Sequence, residues 1–217
     1  MEQRAVGIDF ECPGGVLSKN GFAQLGATIH DPVTNVKLYE FKMYANFIAD
    51  GYDWDQECVE RHWEKHPALY RKTQKECAAS TASCREVVRM FIEWVKLSTW
   101  GHNAYLASDN CGYDIAILRY FADEDVGYLF TDEHGKPTYK AIQDISSIYR
   151  GIAIKGLGRF LLDSTSDYSS KESAMEALGL REIVPPCSAE HDHDPVNDSH
   201  RMMHDFCFIM NAANRLP

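Results

Sequence analysis

The stretch "AVGIDFE" at residues 5–11 has the alternating pattern of a β-strand. Because side chains two residues apart share a face of a strand, Gly7, Asp9 and Glu11 point to one side. The opposite, apolar face consists of Val6, Ile8 and Phe10. Two carboxylates on one face of an apolar strand repel each other unless a cation lies between them. The stretch therefore predicts a first strand that carries either a solvated acidic face or a cation site.

Two segments that follow, "GFAQLGATIHD" (residues 21–31) and "VKLYEFKM" (residues 36–43), have similar strand character. Together with the first strand they predict a three-stranded meander. The pattern then becomes helical. "DQECVERHWEKHP" (residues 55–67) predicts a short helix that Pro67 ends. "SCREVVRMFIEWVKL" (residues 83–97) predicts a helix with one face in the core.

The rest of the chain alternates between strand-like and helix-like segments. We expect a strand at "YLASDN" (residues 105–110), a helix at "YDIAILRYFA" (113–122), a strand at "KAIQDIS" (140–146) and a helix at "SKESAMEALGL" (170–180) that ends at Gly179. "KGLGRF" (155–160) and "LDSTSDYSSK" (162–171) are expected to be loops. This order predicts an α/β fold in which helices pack against a sheet, formed as one domain over residues 1–217.

The bulk composition restricts the class of protein. Seven scattered cysteines without a C-x-x-C pair argue against a disulfide framework and suit a reducing, cytoplasmic setting. No apolar run approaches the roughly 18 residues of a membrane span, and the start of the chain has no signal-peptide pattern. The net charge of −10 argues against broad coating of a nucleic-acid duplex. It permits an enzyme that grips a few nucleotides, because bound cations can offset carboxylates.

A second acidic cluster lies in "NCGYDIAIL" (residues 110–118). If a helix begins near Tyr113, Asp114 lies at the edge of its apolar stripe. Asp109 or Asn110 could cap that helix, which would be the structural explanation for acidic residues at this point. Asp114 comes after the cap position, so capping does not explain it.

A third cluster lies in "EHDHDPVNDSHRMMHD" (residues 190–205). Proline is favoured at the first helical position, so Pro195 predicts a helix start with Asp194 as its N-cap. His193 then precedes the cap, and Asp198 is the fourth helical residue. These two positions pack against each other at a helix start, so an imidazole and a carboxylate are expected side by side.

Two other histidines of this segment, His200 and His204, are four residues apart and could chelate a metal. Both fall on the side of the helix away from its apolar stripe. We therefore expect them, and Asp205, to be solvated residues of the helix surface.

Taken in order, the three clusters resemble the DEDDh exonucleases, the DnaQ-like 3′-to-5′ group of the ribonuclease H-like superfamily. The first motif of that family, D-x-E, matches residues 9–11. Its second motif is an asparagine followed three residues later by an aromatic residue and an aspartate, which matches Asn110 to Asp114. Its third motif, H-x4-D, matches His193 to Asp198. "DFECPG" (residues 9–14) and "VERHWEKHPAL" (residues 59–69) resemble the phage-type exonuclease A branch.

The resemblance implies a mixed five-stranded sheet flanked by helices and a metal-dependent 3′-to-5′ exonuclease. It assigns the binding of two divalent cations, Mg²⁺ or Mn²⁺, about 4 Å apart to four carboxylates. These are Asp9, Glu11, Asp114 and Asp198. His193 would take the proton from the attacking water. The substrate would be the 3′ end of a single-stranded nucleic acid, with DNA expected over RNA, and the products nucleoside 5′-monophosphates.

Two further residues are assigned by the resemblance as substrate contacts. Asn110 belongs to the second motif. Cys12 stands where many members of the family have a threonine near the terminal sugar, so only its backbone is expected to contact substrate.

Three alternatives stay open at this point. The chain could be a 3′-to-5′ exoribonuclease, or a catalytically silent nucleic-acid-binding domain of the same fold. It could also be a zinc protein that uses the histidines of the third cluster, which are His191, His193, His200 and His204.

Overall fold

The computed structural model describes residues 2–132, 134–140, 142–157, 167–180, 187 and 192–214. The strands are β1 (Gln3–Glu11), β2 (Gln24–Asp31), β3 (Val36–Tyr44), β4 (Asn103–Ser108), β5 (Phe130–Thr131), β6 (Pro137–Thr138) and β7 (Gln143–Asp144). The α-helices are α1 (Leu17–Asn20), α2 (Gln56–Arg61), α3 (Pro67–Ala79), α4 (Cys84–Ser98), α5 (Asp114–Phe121), α6 (Ile145–Leu157), α7 (Asp167–Ala177) and α8 (Pro195–Ala213). Two short 3₁₀ helices are η1 (Trp63–Lys65) and η2 (Val126–Tyr128).

Five strands form one mixed sheet in the order β3-β2-β1-β4-β7. β1 pairs antiparallel with β2 and parallel with β4, and β4 pairs parallel with β7. β2 pairs antiparallel with β3, which confirms the predicted meander. The predicted α/β fold, a mixed five-stranded sheet flanked by helices, is confirmed, with β1 at the centre of the sheet.

The two faces of β1 belong to different hydrophobic clusters. Val6, Ile8 and Phe10 are buried against α4 and α5, as the alternation of the first strand predicts. On the other face, Ala5 packs in a cluster with side chains of α6, α7 and α8, such as Met203. The acidic residues of β1 share this second face, so they lie beside the C-terminal helix.

α8 lies close against β1 and β2 because small and polar residues of the sheet accommodate it. A Cβ atom added to Gly7 would be 2.2 Å from Cγ of Met203, so a larger residue would have to displace the Met203 side chain. The Ser199 hydroxyl donates to Oγ1 of Thr28 at 3.0 Å, with both side chains fully buried. These contacts fix the position of the helix over the sheet.

Some predicted boundaries are wrong. Pro67 begins α3 instead of ending the preceding helix, since proline fits the first helical position. The helical stretch before it divides into α2 and η1. The strand predicted over residues 140–146 is only Gln143–Asp144.

The predicted loops at 155–160 and 162–171 are partly helical: α6 continues to Leu157 and α7 begins at Asp167, and residues 158–166 lie outside the described residues. The predicted end of α7 is confirmed, because the helix ends at Ala177 and Gly179, two residues later, has a φ of 67°. No helix among the described residues is both long and apolar enough to cross a membrane. The assignment of residues 1–217 to one domain stays a prediction.

Candidate active site

β1 brings two carboxylates to the end of the sheet that α8 covers. Asp9 and Glu11 lie on the face of β1 opposite its apolar side chains, as the alternation predicts. Glu11 is buried, with 9% of its surface exposed, and Asp9 is half-buried. Burial of two neighbouring carboxylates is unfavourable without a compensating positive charge.

Asp114 is the first residue of α5 and is buried, with 3% of its surface exposed. The hydroxyl of Ser108, at the end of β4, donates to its Oδ2 at 2.6 Å. The backbone N–H of Asp114 donates to the Asn110 carbonyl at 2.9 Å. The expected side-chain cap by Asp109 or Asn110 is wrong: Tyr113 is the N-cap residue, and it makes no side-chain capping hydrogen bond within the described part of the chain. A serine from the neighbouring strand holds the carboxylate instead.

The start of α8 brings His193 and Asp198 to the same place. As expected, Asp194 caps the helix, with Oδ1 accepting from the Val196 N–H at 3.2 Å, and Pro195 is the first helical residue. His193 has a φ of 58°, in the left-handed region that costs non-glycine residues energy. This backbone turn places its Nδ1 4.0 Å from Oε1 of Glu11.

The carboxylates and the histidine converge from three separate parts of the chain. Ligand atoms of Glu11, His193 and Asp198 lie within 4.8 Å of one another. The charges of Asp114, Glu11 and Asp198 all raise the pKa of Asp9. All five side chains that the family resemblance assigns to catalysis therefore lie in one cluster, joined by close ligand atoms or by charge interactions.

The electrostatics of this cluster favour a bound cation. Desolvation, followed by the charges of neighbouring carboxylates, raises the pKa values of Asp9 and Glu11 well above their ordinary range. Desolvation also raises the pKa of Asp114 to about 7. The hydrogen bond from Ser108 lowers this pKa, but its effect is smaller than that of desolvation. Buried oxygen donors that repel one another suit hard divalent cations such as Mg²⁺ and Mn²⁺. The donor set therefore fits the expected metal ions.

A cavity of about 290 Å³ adjoins the carboxylates. The charged side chains that line it are Asp9, Asp109, Asp198 and Asp205 together with Lys171 and Arg201. The cavity gives space for a ligand next to the acidic cluster.

The two expected substrate contacts are differently placed. The Cys12 carbonyl accepts from Nε1 of Trp63 at 3.2 Å, and the Cys58 thiol lies 3.9 Å from the same oxygen. A contact between the Cys12 backbone and substrate stays a prediction. Asn110 shapes the turn before α5 through its carbonyl, and its side-chain role stays a prediction.

Three residues near the C-terminus are more buried than expected. Nδ1 of His200 lies 3.1 Å from Nε2 of the fully buried His30, and burial lowers the pKa of His30 to about 3. Asp205 is 9% exposed, and its Oδ2 pairs with Nζ of Lys171 at 2.7 Å. His204 is half-buried, with Nδ1 3.1 Å from Oδ1 of Asp205. The expectation of solvated surface residues is wrong because β2 and α7 cover this side of α8.

Two histidines near the site were not predicted as site residues. The rings of His62 and His66 lie 4.7 Å and 4.6 Å from the ring of His193. The sequence feature that indicates a possible metal-binding pair here is the H-x3-H spacing in the segment "HWEKH" at residues 62–66. The spacing does not reveal that this segment folds against the start of α8, 130 residues later.

Comparison with known proteins supports the fold. No family model matches the sequence, and no curated protein matches it significantly. A solved structure described as a full-length 3′-exonuclease matches with a TM-score of 0.61 and 14% identity, over 99% of this chain and 62% of that one. The chain thus spans 62% of the length of this neighbour.

Two further solved structures match over nearly the whole chain. The nuclease domain of 3′hExo, a DEDDh family member bound to rAMP, has a TM-score of 0.55 at 14% identity, over 99% of this chain and 94% of that one. A 3′-exonuclease described with specific recognition of the histone mRNA stem-loop has a TM-score of 0.52 at 12% identity, over 97% of this chain and 80% of that one. The chain therefore shares the fold of these 3′-exonuclease structures.

Proposed function

We propose that this chain is a DEDDh-type, metal-dependent 3′-to-5′ exonuclease. The observation that carries the proposal is the meeting of four carboxylates and one histidine from β1, α5 and the start of α8. These residues match the three family motifs in order, and the fold is that of 3′-exonucleases. A catalytically silent domain would have no need for a complete set of ligands together with a base.

The site residues divide into ligands and a base. Asp9, Glu11, Asp114 and Asp198 would hold two divalent cations. When bound, these cations supply Lewis-acid activation of the attacking water and offset charge on the leaving 3′ oxygen. His193 would accept a proton from the attacking water, a role suited to an imidazole near neutral pH. Hydrolysis breaks the P–O3′ bond and releases a nucleoside 5′-monophosphate.

The substrate is proposed as the 3′ end of a single-stranded nucleic acid. One structural neighbour is bound to rAMP, and another recognises the histone mRNA stem-loop. They support RNA and give no support to the expected preference for DNA. The choice depends on how the pocket treats the 2′-hydroxyl. The phage-type branch and the cytoplasmic setting stay predictions.

The test is a time course on 5′-labelled DNA and RNA oligonucleotides, single and double stranded, in Mg²⁺ or Mn²⁺. Wild-type protein should shorten the strand one nucleotide at a time, and Asp9→Ala and His193→Ala should each abolish this activity. Asp123→Ala and His102→Ala are matched controls, because neither residue belongs to the acidic cluster: Asp123 forms an exposed ion pair with Arg85, and Nε2 of His102 lies 3.5 Å from Oε2 of Glu2. Shortening at the wild-type rate by both site variants would refute the proposal.

A further inference from the structure

His62, His66 and His193 form a second cluster of metal-binding side chains that the proposed reaction does not use as a unit. One ring nitrogen from each lies within 4.8 Å of the other two. We propose that these three histidines bind a transition-metal ion of the Zn²⁺ type, and that the bound ion inhibits the enzyme by engaging His193. The binding stands on the geometry alone, whereas the inhibition rests on the proposed function.

The fold holds the two added histidines in place through Trp63. His62 directly precedes η1 and His66 directly follows it, so the two side chains flank one short turn. Trp63, between them, is fully buried, and its Nε1 donates to the Cys12 carbonyl at 3.2 Å. This bond fixes η1 to the end of β1, next to Glu11. The two imidazoles therefore have a fixed support opposite the start of α8.

The chemistry of three imidazoles differs from that of the carboxylates nearby. Imidazole nitrogen suits Zn²⁺, Cu²⁺ and Ni²⁺, whereas Mg²⁺ prefers oxygen ligands. In a tetrahedral zinc site, Zn–N bonds of about 2.1 Å place the nitrogens about 3.4 Å apart. The three ligand atoms lie within 4.8 Å of one another, so binding requires each pair to approach by at most about 1.4 Å. Three protein ligands and one open position are a frequent zinc arrangement.

The acidic residues beside the cluster strengthen its attraction for a cation. Glu11 and Asp198 lie within 4.8 Å of His193, counted between ligand atoms. Negative charge at this distance in a partly buried site favours a divalent cation. His193 thus belongs to both groups, and a ring nitrogen coordinated to zinc cannot accept a proton.

The histidines of the C-terminal helix do not take part. Among the described residues, two groups of three side chains have ligand atoms close enough to share a metal, and His200 and His204 belong to neither. His191 lies outside the described residues. The zinc site predicted from the sequence therefore has different ligands: His193 lies near His62 and His66, which flank η1, and not near the histidines of α8.

The binding test uses metal-free protein and Zn²⁺ in competition with a chromophoric chelator. Asp9→Asn/Asp114→Asn removes two of the four carboxylates and keeps Glu11 and Asp198 beside His193, and we expect zinc binding to persist in this background. Adding His62→Asn/His66→Asn should weaken that binding more than about 100-fold, since changing even a group outside the ligand sphere costs 10–100-fold. Adding His200→Asn/His204→Asn instead should leave it unchanged. Circular dichroism checks that each variant is folded.

Zinc binding that disappears in Asp9→Asn/Asp114→Asn, or that survives His62→Asn/His66→Asn, would overturn the site. The activity test adds Zn²⁺ to Mg²⁺-supported digestion of an oligonucleotide. Wild-type protein should lose activity, and His62→Asn/His66→Asn should keep its activity at the same zinc concentration. An active wild-type enzyme whose inhibition is equal in the two proteins contradicts the inhibitory role. A wild type without any nuclease activity but with histidine-dependent zinc binding refutes the proposed function and supports the site.

Discussion

Gly26 of β2 lies directly against Pro195, the first residue of α8: a Cβ atom on Gly26 would be 2.3 Å from the Pro195 carbonyl carbon. Gly26 also pairs with Asp9 in the ladder between β1 and β2. The absence of a side chain at this one position therefore lets the start of α8 approach the strand that carries the first carboxylate. The short distance between the start of α8, with His193 and Asp198, and the carboxylates of β1 therefore depends on glycine at position 26.

Gly26→Ala should therefore reduce both stability and activity. The added methyl group must displace the helix backbone, and overpacking of this kind costs about 1–3 kcal/mol in the free energy of unfolding. A displacement of about 1 Å at a catalytic site can lower the rate about 100-fold. Urea denaturation and the rate of mononucleotide release measure the two effects. Gly151→Ala is the control, since no atom of the described residues lies within 4 Å of its Cβ position; equal behaviour of the two variants would contradict this account of α8.

Ser108→Ala should weaken metal binding while the chain stays folded. The Ser108 hydroxyl donates to Asp114 at 2.6 Å and thereby orients this carboxylate. Loss of such a support typically costs 10–100-fold in metal affinity. Titration of Mn²⁺ against activity, and calorimetric titration of the same ion, should both report a weaker constant. Ser147→Ala, at an exposed serine of α6, should leave both constants at their wild-type values. An unchanged Mn²⁺ affinity in Ser108→Ala would exclude Ser108 as a support of the ligand.

The stability of the metal-free protein should depend on the charge of Asp114. The pKa of this carboxyl group is raised from 3.8 to about 7, mainly by desolvation. Its contribution to stability is therefore complete below pH 3.8 and is lost as the pH rises through about 7. Relative to Asp114→Asn, wild-type protein in a chelator should lose at least about 1 kcal/mol of unfolding free energy between pH 5 and pH 8.

Added Mn²⁺ provides the complementary check on Asp114. At pH 8 it should raise the melting temperature of the wild type more than that of Asp114→Asn, because the charged carboxylate then has a cation as its neighbour. Melting curves at several pH values, with and without the ion, make the comparison. Parallel pH profiles for the two proteins in chelator would show that Asp114 is not held in an unfavourable charged state.

Asp194 should contribute to stability both as a helix cap and as an ion-pair partner. Its Oδ1 accepts from the Val196 N–H, and its Oδ2 pairs with Nζ of Lys42 on β3. Asp194→Asn keeps a capping oxygen and loses the charge, whereas Asp194→Ala loses both. We expect Asp194→Ala to cost about 1 kcal/mol, as is usual for an N-cap, and Asp194→Asn to cost less. Urea denaturation measures the free energy of unfolding of both variants. Equal losses of stability would show that the capping hydrogen bond makes no contribution.

Local patterns predicted the parts of the site that depend on short-range rules. The alternation in β1 placed Asp9 and Glu11 on one face, and Pro195 marked the start of α8. Both features follow from backbone geometry within a few residues. The fold class followed from the order of such segments and from the family resemblance.

Contacts between distant segments could not be predicted from local patterns. Ser108 supports Asp114 because β4 ends beside α5, and a serine in a strand carries no sign of that role. His62 meets His193 only after η1 folds onto the end of β1. Helical periodicity predicts a surface position for His200, because it identifies only the apolar face of α8. It does not show that His30, a polar residue of β2, also packs against this helix.

The central claim is that the carboxylates and His193 hydrolyse the terminal phosphodiester bond at a 3′ end. The most direct measurement follows a strand labelled in its 3′-terminal nucleotide and identifies the first labelled product. Wild-type protein in Mg²⁺ or Mn²⁺ should release labelled nucleoside 5′-monophosphate from the first turnover, and folded Asp198→Asn protein should release none at the same concentration. Release of label within a longer fragment, or equal release by wild type and Asp198→Asn, would contradict the claim.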